Sequence, residues 1–267
     1  MIREAKESDI GGLNGLPPPD WKFDYEALLK EFINEDFFYA FIKIQNNTIV
    51  ATGNIFFKDK VGWLANIMVD KEYRGKGLGN EMAKFIIDYL DDKKCNSQLL
   101  LATEMGERIY QDLGFKKTTT YLGYQSETDI NHSMHGNIRQ LIESDLESIL
   151  TLDQEINAED REHFLVNNYE LGFGYFDNKG ELIGFYLPYF GRGLVLAKNP
   201  EAGIELLKIK HSESGRISYI PIENKAGIDF FTNSNFKRLE NFSRMILNKE
   251  SKWKPKYIYS YGSGYSG

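Results

Sequence analysis

Apolar and polar positions along this chain switch repeatedly between a two-residue and a three-to-four-residue period, and each switch marks an element. A short strand is predicted over 2–5, then a helix over 24–33 with Tyr25, Leu28, Leu29 and Phe32 on one face. Pro17-Pro18-Pro19 forces an extended loop before that helix. Apolar strands at 37–44 and 49–57 flank Asn46-Asn47, a hairpin signal, and Asp59-Lys60 turns the chain into a strand over 62–69. A glycine-rich loop then opens a helix whose apolar face is Leu78, Met82, Phe85, Ile86, Tyr89 and Leu90. A buried strand at 99–102, a helix over 104–113 and a strand from Phe115 complete the first half.

The second half repeats the rhythm. Helices are predicted over 145–156 and 161–169, strands over 171–176, 182–190 and 194–197, and a helix over 200–210. A strand at 217–221, a helix over 225–233 and strands at 237–247 and 257–261 follow. Two echoes tie the halves together. Ile2-Arg3 with Glu7-Ser8-Asp9-Ile10 recurs as Ile138-Arg139 with Glu143-Ser144-Asp145-Leu146, at identical spacing. Tyr110-Gln111-Asp112-Leu113-Gly114-Phe115 is echoed by Phe231-Thr232-Asn233-Ser234-Asn235-Phe236. Gly114 and Asn235 are residue types that accept a left-handed helix cap. The expectation is α/β architecture in two domains, 1–125 and 136–267, joined by a linker at 126–135.

Composition narrows the function without setting it. In 267 residues, 42% are hydrophobic and 27% charged, as in a soluble globular protein. The formal net charge of -7 argues against general binding of nucleic acid or anionic membranes. No apolar run reaches a membrane span and the charged N-terminus shows no export signal, so the expected location is cytoplasmic. A single cysteine, Cys95, excludes an intramolecular disulfide and a cysteine-based zinc cage. His132-x-x-His135 falls in the linker without a third ligand, so no metal is expected.

The chemistry concentrates in Arg74-Gly75-Lys76-Gly77-Leu78-Gly79, between a strand and an amphipathic helix. Glycines let backbone amides point inward, and the helix N-terminus adds about half a positive charge, which together make an anion cradle. The dinucleotide fingerprint fails at Asn80 and at Met82, and the P-loop fails because Gly77 follows Lys76. What remains is R-x-x-G-x-G over Arg74, Gly77 and Gly79, with Val69 five residues upstream and Tyr-x-x-x-Gly-Phe at Tyr110, Gly114 and Phe115. This resembles the acetyl-CoA motif of the GNAT acetyltransferases. The layout as a whole resembles the YitH-like tandem GNAT proteins, a catalytic GNAT domain followed by a degenerate one. Asp160-Arg161, Arg244-Met245 and the tyrosine- and glycine-rich closing strand fit that resemblance.

The resemblance implies an α+β GNAT fold in each domain, a mixed twisted sheet flanked by helices, and acetyl-CoA as co-substrate. Ile67, Met68 and Val69 would pair with the pantetheine arm. Amides of Arg74, Gly75, Lys76, Gly77, Leu78, Gly79 and Asn80 would hold the pyrophosphate. Tyr110 would be the catalytic residue, protonating the departing thiolate. The strand before the loop, Gly62-Trp63-Leu64-Ala65-Asn66, lacks the family's usual glutamate, and Glu104 is a weak substitute. In the second half Pro200 and Glu201 stand at the cradle and Phe231 at the tyrosine position, so one acetyl-CoA site per chain is expected. The activity implied is acetyl transfer to a primary amine of a small molecule by direct attack. The rivals are a non-enzymatic acyl-CoA sensor or scaffold and a protein or peptide acetyltransferase. Trp21, Tyr25, Phe37 and Phe38 fit either an acceptor wall or plain core. A homodimer is left open.

Overall fold

The computed structural model describes residues 1–18, 24–131 and 133–265. Pro19, Trp21 and His132, singled out above, lie outside the described residues. In chain order the first elements are β1 (Ile2–Glu4), α1 (Tyr25–Phe32), β2 (Phe38–Gln45), β3 (Thr48–Lys58), β4 (Val61–Val69), α2 (Leu78–Asp92), β5 (Ser97–Ala102) and α3 (Glu104–Asp112). There follow β6 (Lys116–Gln125), β7 (Ile138–Gln140), α4 (Leu146–Asn157), α5 (Glu162–Leu165), β8 (Phe173–Phe176), β9 (Leu182–Leu187) and β10 (Leu194–Ala197). Last come α6 (Pro200–Lys210), β11 (Ile217–Pro221), α7 (Lys225–Asn233), β12 (Lys237–Asn248) and β13 (Ile258–Ser260). Among the described residues no helix is long and apolar enough to cross a membrane.

One compact unit is Met1–Leu101, Ile109–Lys116 and Ile246–Lys249. In it β1 to β4 form an antiparallel meander. Asn46 and Asn47 turn the first hairpin and Asp59 and Lys60 the second, all four at positive φ, the signature of the primed turns that match strand twist. β5 then adds in parallel to β4. The far end of β12 joins the same unit, where Lys249 donates its amide to Asn96 O at 2.9 Å. Leu29, Ile42, Ile55, Met82, Ile86 and Leu99 are wholly buried, each contributing about 1.5–3 kcal/mol of apolar burial. Phe37 and Phe38 belong to this core, packed with Phe32 and Phe56, so plain packing accounts for them.

The other unit is Ala102–Arg108, Lys117–Met245 and Glu250–Gly267. Its main sheet is antiparallel in the order β13-β10-β9-β8-β7. β6 and β11 pair alongside each other, Gln125 opposite Ile217 and Tyr121 opposite Pro221. Helix α6 seats Leu206 and Leu207 in the core beside Val195, Ile220 and Phe231. The predicted helix over 161–169 shrinks to α5. The Asn168 amide side chain donates to Phe164 O at 2.7 Å, and Leu171 turns left-handed, which competes with further helix.

Both sequence echoes have a structural cause. Arg3 grips Asp9 through two bonds of 2.7 and 2.8 Å, and Arg139 grips Asp145 through two of the same lengths. The same carboxylates accept from the backbone amides of Lys6 and Ile142 at 2.8 and 2.9 Å. Each pair ties a first strand to the short helical turn after it. Gly114 and Asn235 are both left-handed, with Phe115 and Phe236 donating back to Tyr110 O and Phe231 O. Chain-wide, the architecture is mixed α/β, twisted sheets flanked by helices.

Candidate functional site

The site begins where β4 and β5 part. Their parallel register covers Val61, Gly62 and Trp63 against Ser97, Gln98 and Leu99, and stops there. Beyond it, the outer edge of β4 carries backbone donors and acceptors that β5 does not take. Asn66, at φ 52°, shifts the β3–β4 register between Thr52 and Asn54. Because the two strands are parallel, the segments leaving them emerge at the same end of the sheet, where open α/β sheets bind ligands. The glycine-rich loop and α2 leave β4 there, and α3 leaves β5.

The loop is organised by its own polar atoms. Asp70 accepts the Glu72 amide at 2.8 Å, and Arg74 Nε donates back to Val69 O at 3.0 Å. Lys76 Nζ lies 4.8 Å from the centre of the Tyr73 ring. Gly75 and Gly77 sit at φ 75° and 78°, a region where a side chain is strained. Gly77 is the N-cap of α2, and no side chain caps that helix. A helix start leaves its first amides without internal partners, and a Ser or Asp cap would consume one of them. Here the amides of Leu78, Gly79 and Asn80 stay available beside two exposed cations, which is the donor set a pyrophosphate requires.

Tyr110 lies on α3, in the same compact unit as the loop. Its ring meets Phe115 edge-on at 5.8 Å. Burial pushes its hydroxyl up to about 12, so it holds its proton at neutral pH, the form a general acid needs. Glu104 is exposed at the first position of α3. Cys95 is buried, donates to Ser97 O at 3.2 Å and is pushed up to about 11, which makes it an inert thiol. Among the described residues no three His, Cys, Asp or Glu side chains gather as a metal cage. His135 stacks on Tyr175 and lies 3.7 Å from Glu201.

Two polar residues that the sequence reading did not single out, Thr52 and Asn54, sit on β3. The Tyr25 hydroxyl donates to Asn54 Oδ1 at 2.5 Å and lies 2.9 Å from Thr52 Oγ1, in a buried setting that raises its own titration point. The amide nitrogens of Asn54 and Asn66 are buried without partners. Only the uneven alternation of polar residues in an otherwise apolar strand hinted at them.

The corresponding place in the second half is closed by three features. Asn199 caps α6, accepting the Ala202 amide at 2.9 Å, and Pro200 follows with no N–H. A Cβ on Gly203 would lie 2.2 Å from the Tyr259 ring, so that ring covers the first turn of α6. β13 pairs along β10 at Val195 and Leu196, taking the strand edge itself.

Residues 12–115 match the sequence model of the Acetyltransferase (GNAT) family. The thialysine N-epsilon-acetyltransferase of Bos taurus is 28% identical over 150 residues, 46% of this chain and 88% of its own length. The Sus scrofa protein of that name is 26% identical over 152 residues, 47% of this chain and 89% of its own. Among solved structures, a candidate acetyltransferase from Pyrococcus horikoshii covers 100% of this chain and 95% of its own at TM-score 0.82 and 19% identity. A GCN5-related N-acetyltransferase from Sphaerobacter thermophilus covers 100% and 98% at TM-score 0.67 and 11% identity. At those identities the structures speak for the fold, and they do so along the whole chain.

Proposed function

We propose that residues 12–115, which match the sequence model of the Acetyltransferase (GNAT) family, form an acetyl-CoA-dependent acyltransferase domain and that the chain acetylates a primary amine of a small molecule. The uncapped N-terminus of α2 behind two left-handed glycines carries the reading. It leaves free amides and positive charge where a strand edge has just become available. Backbone of Ile67, Met68 and Val69 would bind the pantetheine arm along the open edge of β4. Amides from Arg74 through Gly75, Lys76, Gly77, Leu78 and Gly79 to Asn80 would hold the pyrophosphate. Acetyl-CoA supplies the thioester that the amine attacks directly. The chain's own contribution to the leaving step is one proton, delivered from Tyr110 Oη to the thiolate sulfur. A water chain or an already neutral amine serves as base, consistent with β4 carrying Ala65 and Asn66 where a carboxylate is usual.

The small-amine reading is supported by the curated relatives, which are named for thialysine as their acceptor. The closed second half supports one acetyl-CoA per chain. The test is release of free thiol from acetyl-CoA by the purified protein, screened against amines, polyamines, amino acids and aminoglycosides. Turnover with at least one small amine is expected. Tight acetyl-CoA binding with no thiol release across the panel, or release only with peptides, would overturn the proposal.

A further inference from the structure

One polar group near the end of β4 is left unexplained by the fold. The amide nitrogen of Asn66 is buried and has no hydrogen-bond partner. An N–H closed away from water without an acceptor is a penalty that a fold normally avoids, and a ligand acceptor removes it.

Backbone conformation does not account for the group. Asn66 sits at φ 52°, a region that asparagine enters more readily than most residues. Glycine would meet that requirement without burying an amide. What the conformation does is aim the side chain. Thr52 pairs with Met68 and Asn54 with Ala65, so Asn66 and Ile67 together face Gly53 alone. Ile67 takes the place over Gly53, where a Cβ would lie 3.2 Å from Ile67 Cγ1. Asn66 is therefore the extra residue of a bulge, a device that re-aims side chains beside active sites. The residue as a whole is only half-buried, and the last torsion of an asparagine is broad, so its amide can meet a group that arrives at the strand edge.

The order of the cofactor along β4 selects that group. Pyrophosphate on the amides from Arg74 to Asn80, and pantetheine along Val69, Met68 and Ile67, bring the thioester to the next residue back along the strand, which is Asn66. β5 is no neighbour there, because its pairing with β4 ends at Trp63. A thioester carbonyl offers an oxygen acceptor, which matches an amide N–H. Negative charge grows on that oxygen as the amine attacks, and a donor already in place stabilises it. We propose that the Asn66 carboxamide donates to the carbonyl oxygen of the acetyl thioester and holds the oxyanion of the tetrahedral intermediate. This rests on the acetyl-CoA reading of the cradle. In the step concerned, the amine nitrogen bonds to the carbonyl carbon and the C=O electron pair moves onto oxygen. Its return breaks the C–S bond, the thiolate takes the Tyr110 proton, and the new ammonium loses a proton to water.

The test is calorimetric titration of the full-length protein with acetyl-CoA and with CoA, which lacks only the acetyl group. Wild type is compared with Asn66→Gly, which removes the amide and keeps the backbone conformation. Asn66→Asp, which keeps the shape and replaces the donor by an acceptor, carries the same test should Asn66→Gly not fold. Both variants should bind CoA as wild type does and acetyl-CoA roughly 2–10-fold more weakly. On the best amine found, turnover should fall roughly 10²–10³-fold, the scale of one lost oxyanion donor. Unchanged acetyl-CoA affinity, an equal loss of CoA affinity, or unchanged turnover would each overturn the proposal. A wild-type protein that binds neither CoA nor acetyl-CoA would overturn the reading of the cradle and this proposal with it. Selective loss of acetyl-CoA affinity in a protein that acetylates no amine would sink acetyl transfer and leave the carbonyl contact standing.

Discussion

At the scale of single residues, two positions carry separable parts of the proposed reaction. In that proposal Tyr110 would contribute one proton, and burial keeps its hydroxyl protonated far above neutral pH. Tyr110→Phe keeps the ring and its contact with Phe115. Turnover should fall roughly 10²–10⁴-fold, the scale of a lost general acid, with acetyl-CoA affinity and unfolding temperature unchanged. Wild-type turnover in that variant, on the best amine found, would remove the tyrosine from the mechanism. Gly77 is different, because its φ of 78° is itself the feature. Gly77→Glu strains the backbone by about 1–3 kcal/mol and sets a carboxylate beside the proposed pyrophosphate. Acetyl-CoA binding should vanish by titration while circular dichroism shows a folded chain. Binding at wild-type strength would mean the cradle lies elsewhere.

At the scale of elements, α2 and α6 begin alike in sequence rhythm and end up chemically opposed. One helix starts at an uncapped glycine. The other starts at a capping asparagine and a proline, with an aromatic ring lying on its first turn. Gly203→Ala tests that ring. Helix propensity alone favours alanine by about 1 kcal/mol. The Tyr259 ring stands where the new methyl would go, and overpacking of this kind costs about 1–3 kcal/mol. The variant should therefore unfold at a lower temperature, and a stabilised Gly203→Ala would show the ring free to move away. The end of α6 makes a second prediction. His211 is bracketed by Ser126 and Ser218 at 3.3 and 2.9 Å. Burial, with Lys210 and Arg216 adding repulsion, pulls it down to about 2. The unfolded chain therefore binds this proton below about pH 6.5 and the folded chain does not, so stability falls as pH drops from there toward 2. The slope is about 1.4 kcal/mol per pH unit for one such group. Urea unfolding at pH 7 and pH 5 should show that loss in wild type and a smaller one in His211→Gln. Equal losses in both would assign the acid sensitivity to other groups.

At the scale of the whole molecule, two sheets and one open cradle predict a simple count. Titration with acetyl-CoA should give one molecule per chain, and a value near two would mean the second half is not closed as its capped helix and covered strand edge require. The compact units are not continuous stretches of sequence. Residues Ile246–Lys249 belong to the unit built from the N-terminal strands, and Ser97 Oγ donates to Lys249 O at 2.5 Å across 152 positions of chain. Such long-range pairing is slow to form, because loop closure is paid in entropy before contacts return it. Separate expression of 1–125 would lack that strand end, and we expect it to be less stable than the same residues in the full chain, as measured by urea unfolding.

What the sequence determined by itself were features whose cause is local. The glycine loop, the helix faces, the asparagine hairpin turns and the two left-handed caps are set by residues within a few positions of each other, and each is present. The Arg–Asp echo was legible because both partners lie six residues apart. Tertiary structure alone decided where distant polar groups meet. Nothing near Glu159 or Arg244 in sequence says that they meet, or that Asn54 and Asn66 hold buried amides without partners. It also decided that β13 covers β10 while β4 keeps an open edge, because strand pairing is chosen by which edges come together in the folded sheet. Periodicity reports whether a residue faces a core, and does not report which strand it faces.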